Sequence, residues 1–191
     1  MNLVQTNKPF WFFIDQADED YLAARLLTFC GPTMWHTAAH HSHQALEKYL
    51  KSYLVQEQQA YPESHDLKKL GELAAAHNNF FAEEDIKKLL AEFDQFEQVS
   101  RYGGMAKYDP VSNQSTQFTT AGSFVWTDSN LKPLDMLVYQ IRGFLDFSQK
   151  PTLDHLAAAQ RENHNIGFVK DWRLPNLSIK QILTSANDYY K

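Results

Sequence analysis

Half of the eight histidines fall in one short stretch, as His36, His40, His41 and His43. On a helix advancing about 100° per residue, His36, His40, His43 and Glu47 share an arc of about 60°. Imidazoles one turn apart can share a divalent metal, with Glu47 as an oxygen ligand, or can move protons for a bound substrate. The same four residues also suit a solvated or interfacial polar face, on the side away from the apolar stripe of their helix. His36, His40 and His43 are the candidate metal ligands, but no His-Glu-x-x-His pattern accompanies them, which favours the polar face without metal.

A second group surrounds Arg101. Glu97 and Gln98 precede it, and Gly103, Gly104, Lys107 and Tyr108 follow. A guanidinium beside a glycine turn can grip a phosphate through two parallel hydrogen bonds while the backbone stays free to approach. Arg101 also suits an ordinary role, as an i,i+4 partner of Glu97 and a cation near a helix C-terminus, worth about 0.3–1 kcal/mol. Asp20 lies on the apolar face of its helix, so it needs a partner. An ion pair with Lys48, Lys51 or His65 that aligns two helices is expected. Ser64-His65-Asp66 reads as the start of a helix, with Asp66 near the positive end of the dipole, since consecutive side chains cannot line up as a nucleophile relay.

Helices must hold these side chains. Phe10, Phe13, Ile14, Ala17, Tyr21, Ala24 and Leu27 predict a helix over about 10–29, closed by Gly31-Pro32. Trp35, Ala38, Ala39, Leu46, Tyr49, Leu50 and Tyr53, with no Gly or Pro between them, predict a long second helix over about 34–58, the central strut. Leu67, Leu70 and Leu73 mark a short third helix. Ile86, Leu89, Leu90, Phe93 and Phe96 mark a fourth, ending near Arg101 with Gly103 and Gly104 as its stop. A fifth stripe, Leu134 to Leu145, begins just after Pro133. Between Tyr102 and Leu131 the chain turns polar, and alternation around Gln117 to Trp126 predicts a hairpin across Ala121-Gly122. Past Pro151, a short helix from Thr152 to about Glu162 and a last one opened by the capping-box pattern Ser178 to Gln181 form a helical extension. The expected division is a bundle over 9–148, with an insertion at about 102–131, and an extension over 149–191 packed on it.

The whole chain has 191 residues, 43% of them hydrophobic, enough for one core but not for two ordinary domains. With 18 basic against 23 acidic residues, no general positive field draws in nucleic acid, so any such contact must be local. The longest apolar run, Phe10 to Ile14, is far short of the roughly 20 residues that span a bilayer, and acidic residues follow it. A soluble, cytoplasmic protein with no membrane partner is expected. Cys30 is the single cysteine, which excludes an internal disulfide and a cysteine-rich zinc ribbon. Neither a Gly-x-x-x-x-Gly-Lys loop nor a Gly-x-Gly-x-x-Gly turn occurs, which argues against nucleoside triphosphate hydrolysis and dinucleotide redox chemistry.

Three stretches together resemble the HEPN (higher eukaryotes and prokaryotes nucleotide-binding) domain superfamily. Trp11, Gln16-Ala17, Asp20-Tyr21 and Ala24 resemble its first helix. Ala38 to Lys51 resembles its second, with the core Gln44-Ala45-Leu46-Glu47-Lys48-Tyr49-Leu50-Lys51. Ser64-His65-Asp66-Leu67 and Leu70 resemble its third, and Arg101-Tyr102 falls where the family often carries Arg-Tyr. The resemblance covers about residues 9–147, without the insertion. It implies an all-α fold, an up-and-down bundle of about five helices, and a homodimer.

Many members of that family are metal-independent ribonucleases of toxin or defence type. Their site is an arginine followed after four to six residues by a histidine, across a dimer cleft. Here Tyr102-Gly103-Gly104-Met105-Ala106-Lys107-Tyr108 follows Arg101, and against the variant Arg-x-x-x-x-His-x-Tyr, Ala106 stands in the histidine position while Tyr108 keeps the tyrosine. Alanine cannot transfer a proton, and loss of a general acid/base removes about 10²–10⁴ in rate. The expectation is therefore a module that binds a nucleotide, RNA or a nucleotidyltransferase-type partner through Arg101 and Tyr108, with no cofactor. His40, His43, Glu47 and Lys107 are the candidate helpers. The alternatives are a ribonuclease using a displaced histidine, or Lys107 as proton donor, and a non-catalytic interaction module whose histidine face and exposed aromatics dock a partner; a nucleotidyltransferase encoded next door would favour a toxin–antitoxin pair.

Overall fold

The computed structural model describes residues 3–5, 9–58, 60–102, 107–109, 114–116, 126–149, 154–161 and 178–191. The chain runs β1 (Leu3–Gln5), α1 (Trp11–Phe29), α2 (Trp35–Gln58), β2 (Ala60–Pro62), α3 (Leu67–Ala74) and α4 (Glu84–Tyr102). It continues through β3 (Lys107–Asp109), β4 (Gln114–Thr116), α5 (Leu131–Gly143), α6 (His155–Arg161) and α7 (Ile179–Thr184). The fold is all-α, with two small antiparallel ladders, β1 on β2 and β3 on β4.

Local chemistry sets the boundaries. Gly31 has φ 92°, the left-handed region open to glycine, and turns the chain from α1 toward α2. Asp66 caps α3 by accepting from Lys69 N at 3.0 Å, and Ser178 with Gln181 forms a complete capping box on α7. The fifth helix starts at Leu131, two residues ahead of Pro133, because a 3-10 turn at Asp128–Asn130 feeds into it. A short ladder within the polar insertion pairs Lys107 with Thr116 and Asp109 with Gln114, while the hairpin predicted across Ala121-Gly122 falls on residues outside those described. Residues 117–125 and the glycine pair 103–104 lie outside the described residues. Trp126 is not in a strand; it packs beside Phe93 and Phe96 and donates to Thr28 Oγ1 at 2.8 Å. The β1–β2 ladder had no signal in the residue pattern.

The core gathers around α2, which touches α1, α3, α4 and α5. Ile14, Tyr21, Leu46, Tyr49, Leu50, Leu54, Leu70, Leu90, Phe93, Leu137 and Ile141 are buried there. Gly71 lets α3 approach α4 closely, since a Cβ at that position would stand 2.5 Å from Leu90 Cδ1.

Four charges share this interior. Asp18 and Arg25, both fully buried, lie seven residues apart on α1, and Asp135 and Arg142, nearly so, lie seven apart on α5. They pair as Arg25–Asp135 and Asp18–Arg142, so α1 and α5 run antiparallel in a register repeated every two turns. Tyr21 donates to Asp135 at 2.7 Å, and Tyr49 of α2 donates to Asp18. Arg142 also reaches Asp154 ahead of α6 at 2.6 Å, while Arg25 donates to the carbonyls of Ile182, at 2.7 Å, and Ser185. Burial opposes the charge on Arg142, yet Tyr49 and Asp18 hold its pKa above the ordinary arginine value. Arg25→Ala, by stranding Asp135, is expected to remove about 3–5 kcal/mol of stability in urea unfolding, and Arg25→Met with Asp135→Leu to recover much of that loss.

Candidate functional site

The site expected from sequence is divided by the fold. His43 and Glu47 are buried, not on a face turned away from the core, because α3 and α4 cover that side of α2. His43 Nε2 lies 3.1 Å from Asp94 Oδ1 of α4, and its Nδ1 has no partner among the described residues. Asp94 also accepts from Leu67 N at 2.9 Å and Lys68 N at 3.1 Å, so one carboxylate hangs the start of α3 on α4 and orients a histidine of α2. Glu47 accepts from Lys51 Nζ at 2.7 Å and meets His65 Nδ1 at 3.0 Å. Burial raises the Glu47 pKa, but the Lys51 and His65 contacts outweigh it and hold the carboxyl below its usual range.

Asp20 flanks the buried face rather than lying on it; the carboxylate on that face is Asp18. Of its expected partners Asp20 takes Lys48, and it adds His41 Nδ1 at 2.8 Å, whereas Lys51 and His65 go to Glu47. Burial opposes the Asp20 charge, and these two contacts overcome it, lowering its pKa. Ser64 accepts from the Asp66 backbone at 3.1 Å, consistent with a helix start and not with a relay.

His40 stacks edge-on against His41 at 5.6 Å, and His36 is exposed. Among the described residues no group of three or more His, Cys, Asp or Glu stands close enough to hold a metal ion, so His36, His40 and His43 are not brought together as ligands. Arg101 occupies the last turn of α4, and Lys107 and Tyr108 occupy β3. Their side chains lie outside the described residues. A cavity of about 280 Å³ opens elsewhere, between α5 and α6, but its cation, Arg142, is already engaged by Asp18 and Asp154.

Sequence reasoning passed over Asp94 and the four interior charges. Asp18 and Arg25 had a usable signal, since both fall within the stripe of Ile14, Ala17, Tyr21 and Ala24. Asp94 had none, because its partners lie 26 to 51 residues away.

The HEPN domain model matches residues 10–121, from the start of α1 past the β3–β4 ladder. That is more than half of the chain, which belongs to the HEPN domain family. Comparison with curated proteins and with solved structures gave no match. No helix among the described residues is long and apolar enough to cross a membrane.

The depressed Glu47 carboxyl fixes a sign. Its contribution to stability is complete above its unfolded pKa, 4.5, and is lost as pH falls through its lower folded value. Thermal midpoints measured on either side of pH 4.5 should therefore fall more steeply with acid in the native chain than in Glu47→Gln.

Proposed function

We propose that this HEPN-domain protein binds a phosphate-bearing ligand, a nucleotide or RNA, at the end of α4, through Arg101 and Tyr108, without the standard cleavage step. The carrying observation is the place of Arg101 in the last turn of α4, with the short β3 strand bearing Lys107 and Tyr108 following it. Arg101 sits seven residues beyond Asp94, on the same face of the helix, the one that meets α2. A guanidinium there can clamp a phosphate in two parallel hydrogen bonds. Ala106 in the histidine position of the family motif supports binding without turnover. With a net charge of −5, such binding depends on this local cation and not on a general field. A homodimer that brings two copies of this end together, and a nucleotidyltransferase-type partner, belong to the same reading.

Adenosine monophosphate or single-stranded RNA, at about 100 times its dissociation constant, should stabilise the protein by about 2.7 kcal/mol in thermal melts, and Arg101→Ala should abolish the shift. Incubation with mixed RNA should give no turnover. Sustained, Arg101-dependent cleavage would defeat binding alone in favour of a ribonuclease with a displaced histidine, and no shift with either ligand would leave a protein-interaction module.

A further inference from the structure

Packing between α2 and α4 singles out one more residue for this site. The two helices run antiparallel. Tyr53 of α2 packs on Phe81, just ahead of α4, with ring centroids 5.3 Å apart, and ten residues earlier on α2 His43 meets Asp94. From that fixed pair, seven residues back along α2 is His36, and seven residues forward along α4 is Arg101. Seven residues are two helical turns, about 10 Å, and return each chain to nearly the same face. The step therefore carries both positions the same distance in the same direction. This bundle already repeats one interhelical pairing at that interval, Arg25–Asp135 and Asp18–Arg142 between α1 and α5. By the same register, both positions lie two turns beyond the His43–Asp94 pair, toward the same end of the two helices.

Four other histidines face carboxylates. His41 faces Asp20, His43 faces Asp94, His65 faces Glu47 and His155 faces Asp15. His36 is exposed, and no hydrogen bond or ion pair engages it among the described residues. An imidazole can offer a ring N–H to a phosphate oxygen, as a guanidinium can.

We infer that His36 is the second phosphate-contacting residue of the α4-end site, supplied from α2. The helpers expected from sequence on that face, His43 and Glu47, are occupied, His43 with Asp94 and Glu47 with Lys51 and His65. This inference rests on the phosphate-binding reading of Arg101 and adds a residue from another helix to it.

Fluorescence anisotropy with a labelled single-stranded RNA tests it on the full chain. His36→Ala should weaken binding about tenfold, the size of one hydrogen bond to a charged group. His36→Arg should restore it. His77→Ala, which removes an equally exposed histidine beyond α3, should leave it unchanged. The combined His36→Ala and Arg101→Ala variant should lose less than the sum of the two single losses, as expected when both residues serve one phosphate. Thermal melts should overlay for the native chain and His36→Ala, because an exposed side chain is removed. Native affinity in His36→Ala, alongside weakened binding in Arg101→Ala, overturns the role of His36 and leaves the phosphate reading standing. Native affinity in Arg101→Ala overturns that reading itself.

Discussion

Four charges enclosed between α1 and α5 impose the strictest condition on this bundle. A buried ion is costly unless a partner of opposite sign meets it with good geometry, so each of Asp18, Arg25, Asp135 and Arg142 depends on the opposing helix arriving at the right height. Sliding α1 by one turn would break both pairs. Apolar side chains tolerate small shifts in packing, whereas these pairs accept a single register. Both arginines then extend the constraint outward, Arg142 to the head of α6 and Arg25 to the last carbonyls of α7 and beyond, so the C-terminal helices are placed by the same lock.

On its other sides α2 is held by softer means. Histidine and carboxylate pairs join it to α1 through Asp20 and to α4 through Asp94, while Glu47 reaches the segment ahead of α3. Most of these groups keep more access to water than Asp18, Arg25 and Asp135 do. The candidate ligand end of α4 is tied to the bundle by this second kind of contact.

Apolar spacing revealed the helices because burial leaves its period in the residues themselves. The stripe from Phe10 to Leu27 predicts 10–29, and the helix spans Trp11–Phe29; the uninterrupted run after Trp35 predicts 34–58, and the helix spans Trp35–Gln58. Ser178 and Gln181 announce the last helix because capping is a local transaction between neighbours. The last helix nevertheless stops at Thr184, well short of Tyr190, and Ala186 adopts a φ of 53°. The pairing of the interior charges was illegible for the opposite reason. Arg25 and Asp135 lie 110 residues apart, and Asp18 and Arg142 lie 124 apart, so nothing near either residue reports its partner. The histidine face misled because periodicity assigns polar residues to water, whereas α3 and α4 close over His43 and Glu47. Arg101 was legible as a helix terminus; that His36 lies toward the same end became readable only through the His43–Asp94 pair.

The seven-residue repeat of opposite charges on α1 and α5 also bears on how this sequence can drift over generations. Replacing one member costs its mate the ion pair and leaves it only its remaining contacts, Tyr49 for Asp18, Tyr21 for Asp135, two carbonyls for Arg25 and Asp154 for Arg142. Joint replacement, by reversing both signs or by substituting two hydrocarbon side chains of similar volume, leaves the interior satisfied. Positions 18 with 142, and 25 with 135, are therefore expected to change as couples, and each couple to keep its own history.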